Sequence, residues 1–161
     1  MISRTYEYDA RPPDLASVRT LTGLEYMRGI LAGDFPRPPI AATLGFTLVE
    51  VAAGHALFEG TPDRFAYNPI GSVHGGWAST LLDSAMGCAV HTTLPAGRAY
   101  TTATLELKFV RPISDHTGLV RCEGKVIHGG STLVTAEGRL TDSSGNLLAH
   151  GTTTCLVLTP R

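Results

Sequence analysis

The sequence predicts an α+β domain in which one antiparallel sheet curls around a single, very apolar helix. Two observations carry that prediction. Residues 77–90 contain two apolar i, i+4 rows, Trp77/Leu81/Ala85/Ala89 and Ala78/Leu82/Met86/Val90, which cover most of a helix's circumference. The strand-like segments after this helix are joined by links too short for helical crossovers, so they pair antiparallel. A helix apolar nearly all round belongs inside a core, and a sheet wrapped around it buries it on most sides.

Taken in order, residues 1–14 are polar, carry Pro12-Pro13 and show no periodicity, which predicts an exposed or partly ordered arm. Residues 15–32 place Val18, Leu21, Leu24, Met27, Ile30 and Leu31 at helical spacing, and Gly33-Asp34 with Pro36, Pro38 and Pro39 ends that helix. This stripe is read as a face packed on the core. Residues 43–51 and 55–61 read as strands, with Ala52-Ala53-Gly54 as a hairpin turn. The central helix follows a loop. Beyond His91, Pro95-Ala96-Gly97 breaks the chain, and four strands follow at residues 100–110, 117–127, 133–141 and 147–158. Between the last two, Asp142-Ser143-Ser144-Gly145-Asn146 carries the glycine that a tight turn needs for positive φ.

A chain of 161 residues, 43% apolar and 17% charged, has the size and composition of one soluble globular domain. Its net charge of −1 and its two lysines, Lys108 and Lys125, leave no basic footprint, so no nucleic-acid partner is expected. No segment has the length and apolarity of a membrane span, and the N-terminus lacks the apolar run of a signal peptide; a cytoplasmic protein with no membrane partner is expected. Cys88, Cys122 and Cys155 are widely spaced among apolar neighbours, which reads as buried free thiols. The histidines His55, His91, His116, His128 and His150 have no ligand-like spacing, so no metal is expected. A Gly-x-Ser-x-Gly elbow and a dinucleotide glycine pattern are both missing, which disfavours a serine hydrolase and predicts no cofactor.

Asp83 is the only formally charged side chain between Arg64 and Arg98, and it falls in the middle of the apolar helix. Burying a carboxylate there is costly unless it is paired or hydrogen-bonded. Ser72 and His74 stand just before the helix and Gly75-Gly76 open it, so its free N–H groups face whatever approaches that end. Such an end can hold an anion or an oxygen that becomes anionic. Asp83 follows His74 by nine residues, roughly 13 Å along the axis, so the two can act on one small group only if a second copy of the helix lies alongside.

These residues carry a resemblance. Asn68-Pro-x-Gly-x-Val-His74-Gly75-Gly76 with Asp83, then Thr101-Thr102-x-x-Leu-x-Leu-x-Phe109-x-Arg-Pro112, Gly129-Gly130-Ser131 and Ala149-x-Gly151-Thr152, resemble the hotdog-fold acyl-CoA thioesterases of the phenylacetate-pathway (PaaI) type. The likeness covers residues 40–158, which divides the chain into an N-terminal arm and helix (1–39) and a hotdog thioesterase domain (40–161). It implies a hotdog fold acting as a homodimer, commonly a dimer of dimers (a homotetramer), with sites at the dimer interface. By that resemblance Gly75 N–H holds the thioester carbonyl oxygen and Asn68 helps place the thioester or the water. Asp83 is base or nucleophile, Thr102 sits beside the carboxylate, and His74 lies next to the thioester. Gly76 and the turn Gly129-Gly130-Ser131 border the CoA groove.

Each assignment has a plainer alternative. Asp83 could be bonded to Ser79 or Thr80, His74 could be a helix cap and Asn68 a turn former. Thr102 could be an ordinary strand residue and Gly129-Gly130-Ser131 an ordinary hairpin turn. The substrate implied is an aryl- or short- to medium-chain acyl-CoA. Trp77, Leu82 and Met86 could line an apolar acyl pocket or simply be core, and Arg111, Lys125 and Arg139 are candidates for the CoA phosphates by charge. The rivals are a hotdog dehydratase, whose histidine tends to fall where this chain has Asn68, and a non-catalytic acyl-CoA-binding module, which would have no use for Asp83.

Overall fold

The computed structural model of the protein describes residues 1–12 and 15–159. Its helices are α1 (Leu15–Thr20), α2 (Gly23–Ala32), α3 (Pro39–Leu44) and α4 (Gly75–His91). Its strands are β1 (Phe46–Ala52), β2 (His55–Gly60), β3 (Ala99–Phe109), β4 (Val120–Gly129), β5 (Leu133–Asp142) and β6 (Leu147–Leu158). The strands form one six-stranded antiparallel sheet in the order β1-β2-β4-β5-β6-β3. The sheet wraps α4, the apolar helix that the sequence singles out, in the hotdog arrangement.

Burial decides that α4 is a helix. It opens with two glycines and carries Gly87, each about 1 kcal/mol less favourable than alanine in a helix interior. Against that, Leu81, Leu82, Met86 and Val90 have no accessible surface, and burying such side chains contributes about 1.5–3 kcal/mol apiece. The helix touches the sheet backbone to backbone at Gly124 of β4. A Cβ there would stand 2.3 Å from the Ala85 carbonyl oxygen and 2.7 Å from the Met86 nitrogen.

Residues 15–32 form two helices, where the sequence predicts one. The apolar spacing runs straight across the break and hides it, but Thr22 starts a new helix. Its hydroxyl oxygen accepts from Glu25 N–H (3.3 Å), and Glu25 Oε2 accepts from Thr22 N–H (2.8 Å), a reciprocal capping box. Gly23 N–H donates to Leu94 O (2.9 Å), which pins the start of α2 to the segment leaving α4. Tyr26, Met27 and Ile30 of α2 then join the same core as the sheet.

The strand predicted from residue 43 begins only at Phe46, because residues 39–44 are helical. Pro39 occupies the first helical position, where its missing N–H costs nothing, and Gly45 closes the helix in the left-handed region (φ 72°). Trp77 Nε1 donates to Leu44 O (2.8 Å) and fixes that end against α4. At β4, three residues predicted as strand lie outside it, since Gly118 (φ 72°) turns the chain just before.

Residues 1–12 have no regular structure, yet the Arg4 guanidinium lies 3.8 Å from the centre of the Phe65 ring and donates to Thr43 O at 2.7 Å. Pro13 and Asp14 of the predicted arm fall outside the described residues. All three cysteines are free; Cys122 and Cys155 are buried and Cys88 is half-buried.

The Gly124 contact generates a prediction about stability. Gly124→Ala forces the added methyl against helix backbone that cannot step aside, and should lower unfolding stability by at least about 2 kcal/mol in urea denaturation. Gly129→Ala, where a Cβ meets nothing within 4 Å, should stay within about 0.5 kcal/mol of wild type. Equal midpoints for the two variants would contradict the packing described.

Candidate active site

The segment entering α4 is a closed loop. Tyr67 and Val73 bridge across it, and Asn68 organises its tip. Asn68 N–H donates to Ser72 O (2.8 Å), Asn68 Oδ1 accepts from the N–H groups of Ile70 (3.0 Å) and Ser72 (3.2 Å), and Asn68 Nδ2 donates to Ser72 Oγ (3.0 Å). One of the two amide hydrogens is left over. Asp115 holds the same loop from outside, accepting from the Tyr67 hydroxyl at Oδ1 (2.6 Å) and from Arg64 Nε at Oδ2 (2.7 Å). Those two bonds, the tyrosine's first, hold the Asp115 carboxyl down at about 2.

His74 is the N-cap of α4. Its Nδ1 accepts from Gly76 N–H at 2.8 Å, so that backbone donor is already satisfied within the chain. The Gly75 N–H, one step earlier, finds no acceptor among the described residues. It is the free donor at the positive end of the helix, with the Phe109 ring 3.3 Å from where a Gly75 Cβ would stand.

Asp83 lies eight residues beyond Gly75, about 12 Å along the helix axis. Thr102 Oγ1 of β3 donates to Asp83 Oδ1 at 2.8 Å. The hydroxyls of Ser79, Thr80 and Ser84 instead donate to the carbonyls of Gly75 (2.8 Å), Gly76 (2.9 Å) and Thr80 (2.7 Å). The plainer alternative, Asp83 bonded to hydroxyls of its own helix, is therefore not what the structure shows. Among the described residues no cation pairs with Asp83. Thr102 stands at a bulge: the β3–β6 register passes from Thr102↔Cys155 to Thr104↔Thr154 and leaves Ala103 unpaired. Bulges of this kind re-aim side chains.

Asp83 and Ser84 form one wall of a cavity of about 430 Å³. Met27 and Ile30 of α2, Phe46 and Phe58 of β1 and β2, and His91 and Tyr100 supply much of the rest, and the exposed Arg11 and Arg37 stand at the rim. Burial keeps the interior uncharged apart from Asp83. It pushes the Cys88 thiol up to about 12, raises the Tyr100 hydroxyl further above its usual value, and lowers His91. Trp77, Leu82 and Met86, the sequence candidates for an acyl pocket, are buried core and do not line this cavity. The helical stripe of α2 does line it, and only its three-dimensional packing reveals that.

The turn Gly129-Gly130-Ser131 joins β4 to β5, with Gly130 N–H donating to Leu133 O (3.0 Å). The cross-strand row Gly129, Val134, Cys155, Thr102 puts it level with Thr102, about 14 Å away across three strand spacings. Arg98, which the sequence reading passed over, reaches Ser131 O at 3.5 Å. Of the predicted phosphate candidates, Lys125 pairs with Glu123 (2.9 Å) and Arg111 donates to Leu147 O. Arg139 lies five residues along β5 from the Val134 row, about 17 Å away. Among the described residues no cluster of three His, Cys, Asp or Glu could hold a metal ion, and no helix is long and apolar enough to cross a membrane.

Comparison with known proteins fits this geometry. The family model described as Thioesterase superfamily matches residues 70–149. The solved structure of a provisionally named thioesterase from Ralstonia eutropha JMP134, a phenylacetic acid degradation-related protein, is 32% identical. That match covers 81% of this chain and 98% of that one, with a TM-score of 0.74. The chain belongs to the thioesterase superfamily. Within this thioester-hydrolase family it is a hotdog protein of the PaaI type. A Halobacterium salinarum protein provisionally named an esterase is 41% identical over 69 residues. That stretch is 42% of this chain and 44% of the relative, so the match spans less than half the length of that curated protein. A Streptococcus mutans protein solved with acetyl-CoA shares the fold at 23% identity and a TM-score of 0.65, over 73% of this chain and 91% of that one. The superfamily match takes in Gly75, Asp83, Thr102 and the Gly129–Ser131 turn, and leaves out Asn68 and α2.

Asp115 generates a pH prediction for the loop that carries Asn68. A carboxyl held near 2 in the folded protein and near 4 when unfolded stabilises the fold above pH 4, and that contribution is lost as pH falls from about 4 to about 2. Melting temperatures of wild type and Asp115→Asn should differ at pH 5 and converge across that window. A gap that stays constant down to pH 2 would contradict the assignment.

Proposed function

We propose that the protein is an acyl-CoA thioesterase that hydrolyses an aryl- or short- to medium-chain acyl-CoA to the free acid and CoA, at sites shared by two chains. The observation that carries this reading is Asp83: one carboxylate, hydrogen-bonded by Thr102, on the wall of a mainly apolar cavity with Arg11 and Arg37 at its rim. Thr102 occupies one carboxylate oxygen, no cation among the described residues pairs with it, and the other oxygen faces the cavity, where it can act as base or nucleophile.

The mechanism follows from what thioester hydrolysis requires. The carbonyl oxygen gains negative charge as the carbon is attacked, and the Gly75 N–H offers it a donor that no acceptor among the described residues occupies. Asp83 either removes the proton from the attacking water or attacks the carbon itself. Thr102 orients the carboxylate in both routes. Collapse of the tetrahedral intermediate breaks the C–S bond and releases CoA as thiolate, which needs little acid assistance. Asn68 places the thioester or the water with its remaining amide hydrogen, and His74 acts by capping the helix that presents Gly75. Gly76 and the Gly129-Gly130-Ser131 turn flank the CoA path. The acetyl-CoA bound by the S. mutans fold neighbour is consistent with a CoA ester as ligand.

Two chains are needed because Gly75 and Asp83 of one chain lie about 12 Å apart along α4. The outer edge of β3 offers the means: β3 pairs with β6 on one side only, and Leu105 and Phe109 are exposed. Antiparallel pairing of β3 with its copy about a two-fold axis between Leu105 and Glu106 sets Phe109 of one chain opposite Thr102 of the other. Phe109 lies against Gly75, and Thr102 is bonded to Asp83. The same operation therefore brings each free N–H toward the other chain's carboxylate. A homodimer, assembled as a homotetramer and working on CoA esters in the cytoplasm, is the form proposed.

Purified protein should release thiol from one or more of benzoyl-, phenylacetyl-, hexanoyl- and octanoyl-CoA. Asn68→Ala and Asp83→Asn proteins, each inactive alone, should regain activity after subunit exchange, because mixed dimers contain one site built from two intact halves. Absence of thiol release across that panel would contradict the activity, and no recovery despite demonstrated exchange would contradict the shared site.

A further inference from the structure

The cavity beside Asp83 has a wall that the superfamily match does not include. Met27 and Ile30 of α2 face it, and both are buried, with 3% and 7% of their surface exposed. On α4 the lining residues Asp83, Ser84, Cys88 and His91 span about 12 Å along the axis. Tyr100 flanks them, packed on Gly87, where a Cβ would come within 2.7 Å of the Tyr100 hydroxyl oxygen. At the far end the His91 ring stands between Tyr26 and Tyr100, with ring centroids 5.7 and 5.6 Å away. These rings stop the cavity.

We propose that α2 sets the acyl-chain preference of the enzyme, with Met27 and Ile30 forming the side of a pocket for an uncharged acyl group of about eight to ten carbons. The carbonyl lies at Asp83 and the tail points toward His91. This proposal rests on the thioesterase reading above and assigns its substrate class.

Two independent measures support that size. An extended chain advances about 1.2 Å per bond, a third of the span of three backbone bonds, so about 12 Å accommodates roughly ten bonds. The cavity, about 430 Å³ and open at its rim, is also large enough to take a chain of that length. Cys88, His91 and Tyr100 at the closed end are all held uncharged by burial, and the cationic Arg11 and Arg37 stand at the rim, so the closed end favours an uncharged tail. Each methylene that moves from water into such a site is expected to tighten binding about fourfold.

The test separates the pocket from the chemistry. Acetyl-, butanoyl-, octanoyl-, decanoyl- and tetradecanoyl-CoA are titrated calorimetrically into Asp83→Asn protein, alone and combined with Ile30→Trp or Ile30→Val. Affinity should rise about fourfold per methylene up to eight to ten carbons and then level or fall. Ile30→Trp, whose added ring has the cavity to grow into, should move that break several carbons shorter, and Ile30→Val about one carbon longer. Affinity independent of chain length, no binding of any ester, or a break that neither variant moves would overturn the proposal; if Ile30→Trp does not fold, the Ile30→Val shift decides. Wild-type thiol release is measured in parallel. A chain-length break without hydrolysis would remove the thioesterase reading and keep the pocket, and hydrolysis with flat binding would do the reverse.

Discussion

The hydrogen bond from Thr102 to Asp83 is the interaction on which the rest of the site depends. It joins the buried helix to the edge strand of the sheet and fixes one carboxylate oxygen at the wall of a mainly apolar cavity. Three features of the chain converge on it. The apolar rows of α4 drive the helix into the sheet, Gly124 lets β4 lie against helix backbone, and the bulge at Ala103 changes the side-chain alternation of β3 just after Thr102. The carboxylate is tolerated there because the contact is a charge-assisted bond and the cavity leaves its other oxygen room for a ligand or water.

The free donor at Gly75 presents the complementary constraint. His74 caps α4 by satisfying Gly76 and leaves the donor before it open, so the helix start is organised by the chain's own side chain yet offers one N–H outward. In the proposed mechanism that donor serves the neighbouring chain's carboxylate, about 12 Å being too far within one helix. The exposed edge of β3 then has a purpose. An eleven-residue strand left half-paired is a liability for a monomer, and self-pairing covers it while completing two sites at once.

The parts of this structure that were legible in the sequence are those fixed by periodicity or turn chemistry. Helix α4 declared itself by two apolar rows, and the β5–β6 hairpin by Gly145, which has φ 80°. The break between α1 and α2 was hidden because Thr22 and Glu25 interrupt the backbone without interrupting the apolar spacing. Helix α3 was hidden because Thr43 and Leu44, strand-like in type, sit in a short helix set by Pro39 and Gly45. For the site, residue types and spacing brought Asp83 forward, and the resemblance to PaaI-type thioesterases supplied its pairing with Thr102. The α2 wall of the cavity was not legible. Met27 and Ile30 have the pattern of any core-facing stripe, and what distinguishes them is a gap left between packed elements, which no one-dimensional pattern encodes.

The central claim is that Asp83 carries the chemistry and is not merely a structural carboxylate. It is tested most directly by steady-state kinetics of Asp83→Asn against wild type, with thermal melts of both proteins. The substitution is nearly isosteric and keeps an acceptor for Thr102, so the account predicts a folded protein whose kcat falls by several orders of magnitude while acyl-CoA affinity changes little. A folded Asp83→Asn protein with wild-type turnover would contradict it.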